Sequence, residues 1–186
     1  MNRNGIVGVS HRTTSRLGLG LTLVGALVRL IPHPPNFTSV GALGLYSGAW
    51  LAGWRAYLVP LLVMAVTDPI FGFSGTTPFV YASFLLNVWI GRRLQLSIHP
   101  RRLAGAILIS SVQFFLITNL GVWLVGGLYP HTIAGITTCY FVALPFFGRT
   151  LAGDLLYSGL LFGLHFWASR LFVERNRLIS RNTSPA

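Results

Sequence analysis

The sequence predicts an all-α integral membrane protein, a bundle of six transmembrane helices. Three observations carry that expectation. Of the 186 residues, 53% are hydrophobic and 9% charged, whereas a soluble domain carries about 25% charged residues. The apolar residues fall in runs separated by short polar, proline-rich or glycine-rich loops. All 14 basic residues are arginine, and they cluster at the ends of those runs, where basic side chains anchor spans and set their orientation. The net charge of +11 is therefore a topology signal, and no nucleic-acid partner is expected. The lone Cys139 excludes an internal disulfide.

In chain order, residues 1–16 form a basic cytoplasmic N-terminus, 17–173 the six-span membrane domain and 174–186 a polar cytoplasmic tail. The opening resembles the start of a signal peptide, but no small-x-small cleavage site follows. Residues 17–31 therefore read as an uncleaved span 1, with Gly18, Gly20, Gly25 and Ala26 as small packing positions. It is short against the roughly 17–25 residues of a crossing, which places Arg29 at the interface. Span 2 covers 38–53, where Gly44 and Gly48 make a small-xxx-small pair for close helix contact. Span 3 covers 56–70 and is expected to end where Asp68 precedes Pro69. Span 4 covers 79–91 and stops at Arg92 and Arg93; span 5 covers 103–125, with Gln113, Thr118 and Asn119 inside it. Residues 133–147 are apolar but short and carry Pro145, so they read as a re-entrant or interfacial segment between spans 5 and 6. Span 6 covers 150–172 and holds Asp154, Gly159 and Gly163.

With both termini cytoplasmic, twelve arginines lie inside and two, Arg29 and Arg149, outside. A seventh crossing through 133–147 would put the Arg170–Arg181 cluster outside. The expected location is the bacterial cytoplasmic (inner) membrane, with the lipid bilayer as the first partner.

On that topology the unusual polar groups share the outer side. The stretch R-L-I-P-H-P-P-N-F-T, residues 29–38, sets Arg29, His33 and Asn36 in a stiff loop, since Pro32, Pro34 and Pro35 cannot continue a helix. Asp68 lies near the outer end of span 3, Asn119 in the outer third of span 5 and Asp154 about one turn into span 6. Intramembrane acids face a bundle interior or an aqueous cavity, with a partner; Arg29 is the natural partner of Asp68 or Asp154. Arg29, His33, Asn36, Asp68, Asn119 and Asp154 are the candidate ligand-binding residues. Phe114, Phe115, Trp123, Tyr129, Tyr140, Phe141, Phe146 and Phe147 are aromatic candidates for the lining. Four of the polar candidates also have a structural reading: Arg29 snorkelling to the interface, His33 as a fixed loop residue, Asp68 marking a helix end, and Asp154 capping its own helix or pairing with Arg149. His165, isolated on an apolar helix, reads as a core histidine. No G-x-S-x-G, H-E-x-x-H or phosphate-binding glycine loop is present, so neither catalysis, a metal nor a cofactor is expected.

The motifs R-L-I-P-H-P-P-N-F-T-S-V-G-A-L, T-D-P (67–69), T-N-L-G-V-W-L (118–124), L-Y-P-H-T (128–132) and A-L-P-F-F…G-D-L-L-Y-S-G-L-L-F-G (143–163) resemble a family of uncharacterised bacterial six-span membrane proteins. That family is similar in turn to the substrate-binding (S) components of energy-coupling factor transporters. The resemblance implies a six-helix bundle with an outward-facing micronutrient pocket. It also implies docking, through small residues of span 1, on a transmembrane coupling protein and two ATPases. The alanine-x-x-x-alanine pattern of that docking face is absent here. The leading expectation is a small-molecule-binding part of an uptake transporter. The alternatives are a structural or assembly subunit of a larger membrane complex and, last, a membrane enzyme using Asp68, Asp154 and His33.

Overall fold

The computed structural model describes residues 11–32, 34–95 and 98–182. They form six helices and no strand: α1 His11–Val28, α2 Val40–Trp50, α3 Arg55–Phe71, α4 Thr77–Leu94, α5 Pro100–Val125 and α6 Ile133–Asn182. Among them α5 is the one long and apolar enough, by length and composition, to cross a membrane.

The bundle is built around α2. All eleven of its residues are buried, and it touches each of the other five helices. A helix buried on every side is apolar all round, as V-G-A-L-G-L-Y-S-G-A-W is. Its glycines let the backbones of α2 and α4 meet. A Cβ on Gly48 would fall on the Val88 carbonyl, and one on Gly91 on the Leu45 carbonyl. Gly44 faces the Asn87 Cβ, which an added Cβ would meet at 2.8 Å. The small-xxx-small pair is thus used within the chain.

Polar and apolar residues are distributed unusually. Thr22, Ser47, Ser83, Asn87, Ser110, Ser111, Asp154, Ser158, His165 and Ser169 are buried, while large apolar side chains such as Leu27, Val66, Ile109, Leu160 and Trp167 are exposed. Asn87 Oδ1 accepts from Ser110 Oγ and from Gln113 Nε2, tying α4 to α5. His165 is a core residue: its Nδ1 lies 2.6 Å from the Tyr46 hydroxyl and its ring stacks 3.5 Å from Trp50.

Three expectations are corrected. The segment 133–147 is not re-entrant, because it is the first part of α6, which passes through Pro145 unbroken. Phe115 of α5 packs on Tyr140 and Phe147, one on each side of the proline, and this packing holds the turn where one backbone bond is lost. α6 also runs past Glu174 to Asn182. At the other correction, α3 passes Pro69 and ends at Gly72, which has φ +84.

Candidate functional site

Residues 34–37 form a β-turn closed by the Phe37 N–H donating to the Pro34 carbonyl at 3.0 Å. Pro35 takes the second position and Asn36, at φ +64, the third, the residue pattern of a type II turn. Phe37 packs 5.8 Å from Tyr157. Gly153 lies so close that a Cβ there would meet the Thr38 backbone at 3.3 Å. The loop is therefore fixed against α6. Asn36→Gly is expected to preserve the turn, and Asn36→Val to lower stability by about 1–2 kcal/mol, because a β-branched residue resists the left-handed region. Equal melting temperatures for the two variants would refute this requirement.

At the end of α1, the Arg29 guanidinium donates to Thr67 Oγ1 at 2.7 Å and to Asp68 Oδ1 at 2.5 Å. Both charged side chains are nearly buried, at 12% and 9% exposure, and Tyr81 stands beside the carboxylate. Arg29 thus bonds the C-terminal turn of α3, and Asp68 is its ion-pair partner.

Asp154 plays a different part. Ser111 Oγ donates to its Oδ2 at 2.6 Å, and the Ala42 backbone N–H donates to it as well. Gly41 admits the carboxylate, since a Cβ there would fall on it. The N-cap Ser39 of α2 makes no side-chain cap bond and donates instead to the Gly25 carbonyl at 2.9 Å. Asp154 therefore serves orphan donors at the positive end of α2 from another helix. It caps α2 rather than its own helix. Arg149 lies over the Phe146 ring, and among the described residues the one ion pair is Arg29–Asp68.

Above the Asp154 carboxylate opens a cavity of about 230 Å³, bounded by Arg29, Asn36, Thr38, Val80, Phe114 and Thr150. A second cavity of about 230 Å³ adjoins it, sharing Asn36, Val80, Phe114 and Thr150 and running along α5 past Thr118 and Asn119 to Val122. Asp154 meets Ser111, near the midpoint of α5. The floor therefore lies about half-way along that helix, deeper than one turn from the end.

The structure brings Arg29, Asn36 and Asp154 to one cavity, with Asp68 behind Arg29. Asn119 lines the adjoining cavity, and its amide donates to the Phe115 carbonyl of its own helix at 2.8 Å. His33 lies outside the described residues. Of the aromatic candidates, Phe114, Phe115, Phe146 and Phe147 line the cavities, whereas Phe141 is 75% exposed. Thr38, Gly41, Thr67, Ser111 and Thr150 were not expected. The Thr150–Asp154 spacing, one helical turn, was a signal for one of them; the others need the contacts between helices. Among the described residues no group of three histidine, cysteine, aspartate or glutamate side chains is placed to hold a metal ion.

Residues 10–177 match a family described as of unknown function, DUF6580. The chain belongs to this family. The matched stretch takes in the whole cavity, from Arg29 through Asp154, so the turn, the ion pair and the α2 cap all lie within the DUF6580 region. No curated protein and no solved structure matches the chain.

Proposed function

We propose that this DUF6580 chain is a multi-pass protein of the bacterial inner membrane that binds a small polar, micronutrient-type molecule. It would serve as the substrate-binding part of an uptake transporter, similar to the S components of energy-coupling factor transporters. The observation that carries the reading is the cavity with Asp154 at its floor and the rigid 34–37 turn at its wall. With its neighbour it reaches the range of about 300–1,000 Å³ typical of small-ligand sites. Arg29 is matched by Asp68, which leaves Asp154, Asn36 and the threonines to meet the ligand. That set favours a molecule offering hydrogen-bond donors.

Exposed apolar side chains around a core rich in serine, asparagine and aspartate support the membrane reading, because lipid and not water solvates such an exterior. The eleven residues of α2 span about 16 Å, less than the roughly 30 Å hydrocarbon core. Complete burial lets α2 and its entry loop sit at that depth covered by protein. Six crossings with cytoplasmic termini follow from the arginine distribution.

The test is a thermal-shift screen of detergent-purified protein against vitamins, nucleobases, amino acids and metal ions, with native mass spectrometry beside it. One compound class is expected to raise the melting temperature by several degrees, with Asp154→Asn and Asn36→Gly each weakening that binding at least tenfold, about 1.4 kcal/mol. Binding that survives both substitutions would move the ligand out of this cavity.

A second reading, a structural or assembly subunit of a membrane complex, has one observation in its favour. Gly18 and Gly25 pack inward on Trp50 and Leu43, so most of the small face of α1 is used internally, whereas Gly159 and Gly163 on α6 face open space. A stoichiometric partner chain, lost with Gly159→Leu, would favour it.

A further inference from the structure

At the opposite end of α4 and α5 from the cavity, the two helices leave a groove of about 450 Å³. Its wall is apolar, made by Trp89, Ala106 and Ile109, with Gly105 in its bed and Arg93 and Arg102 at its rim. Trp89 and Ile109 are about half exposed, so the groove opens sideways along the helices and not only at their ends. The Arg93 guanidinium lies 4.5 Å from the centre of the Trp89 ring, which holds the charge at the groove's mouth.

The surroundings supply no counter-charge. The chain has three acids. Asp68 and Asp154 serve the distant ion pair and the α2 cap, and Glu174 makes no ion pair among the described residues. Four arginines, Arg92, Arg93, Arg101 and Arg102, flank the α4–α5 connection. Arg92 is engaged with the Gly53 carbonyl at 2.7 Å and with Tyr57, and Arg101 does not line the groove, which leaves Arg93 and Arg102 at its rim.

We propose that the groove between α4 and α5 binds an anionic phospholipid, its phosphate held by Arg93 and Arg102 and one acyl chain lying along Trp89, Ala106 and Ile109 over Gly105. Two properties single out this occupant. The wall is almost wholly apolar, which suits a hydrocarbon chain and offers a soluble anion nothing beyond the rim. The rim is cationic without acids, which discriminates against a zwitterionic headgroup. The positive-inside rule places these arginines on the cytoplasmic face, where anionic lipid lies. The inference rests on the membrane reading above and is independent of the ligand cavity.

Gly105 permits a clean test. A Cβ there meets nothing within 4 Å, so Gly105→Leu is expected to enter the groove without a clash at its Cβ. The full chain in neutral detergent is exposed to equal amounts of phosphatidylglycerol and phosphatidylcholine, and bound lipid is counted by native mass spectrometry. The wild-type chain is expected to retain one phosphatidylglycerol in preference to phosphatidylcholine. Arg93→Gln with Arg102→Gln is expected to cut that preference by roughly thirtyfold, from two phosphate-facing charges. Gly105→Leu is expected to remove the bound lipid of either kind while the melting temperature holds. Equal retention of the two lipids, or retention unchanged in both variants, overturns the proposal. So does a dimer of this chain that dissociates with Gly105→Leu, since the groove would then hold protein. Alkaline carbonate extraction separates the two levels. A chain released from membranes refutes the membrane reading, whereas one that stays in the membrane but shows no lipid preference refutes only the lipid site.

Discussion

Gly48→Val is expected to cost the protein more than about 3 kcal/mol, enough to prevent recovery of folded protein from membranes or to lower its melting temperature by more than 10 °C. The reason is backbone, not side chain. A Cβ on Gly48 falls on the Val88 carbonyl and close to the Arg92 N–H and the Gly91 Cα. Rotation of a neighbouring side chain cannot relieve a contact with main-chain atoms, so α2 and α4 must separate. α2 is enclosed on every side, and any shift of it loosens the packing of Tyr46, Phe84 and Val88 at once. Gly91→Val meets the Leu45 carbonyl from the other helix and should behave alike. Gly159→Val and Gly163→Val, whose Cβ atoms meet nothing within 4 Å, are the controls and should leave the melting temperature nearly unchanged. A Gly48→Val protein that melts with the controls would refute the close crossing.

Arg29→Ala is expected to be the most damaging single change at the cavity end, at about 3–5 kcal/mol. It leaves the Asp68 carboxylate without its cation at 9% exposure, and it removes the bond to Thr67. Arg29→Ala with Asp68→Asn should recover part of that loss, because an amide is far less expensive to bury than an unpaired carboxylate. A double-mutant cycle on the melting curves reads the coupling directly. Additive losses would mean that the two side chains do not pair in solution. The same cycle bears on ligand recognition. Where Arg29 is held by Asp68 it contributes shape and a donor edge to the cavity, and the ligand-binding loss in Arg29→Ala should then track the loss of stability, unlike that in Asp154→Asn.

Much of the site could be read along the chain. The proline loop, its asparagine, the nearby arginine and the two buried acids carried enough chemistry to be singled out, and Arg29, Asn36 and Asp154 do border one cavity. The sequence leaves open which acid pairs with Arg29, because pairing depends on which helix end faces the end of α1. The structure gives Arg29 to Asp68 and turns Asp154 toward the N-terminus of α2. Depth alone groups Asn119 with these residues, yet it lines the neighbouring cavity, since depth along a bundle does not specify which helix face a residue occupies.

By itself the sequence determined the all-helical class and the polar breaks that separate the first five helices, because hydrophobic runs and loop prolines act locally on the chain. It also marked Gly44 and Gly48 for a close crossing, through helical spacing. Only the tertiary structure decided that α2 is short and wholly enclosed, that α6 runs through Pro145, and that an aspartate of α6 caps α2. These outcomes depend on contacts between segments far apart in sequence. Phe115 packs on Tyr140 and Phe147 across Pro145, a contact between helices that the proline's local helix-breaking tendency does not include, and the absent side chain of Gly41 matters because the Asp154 carboxylate occupies its place.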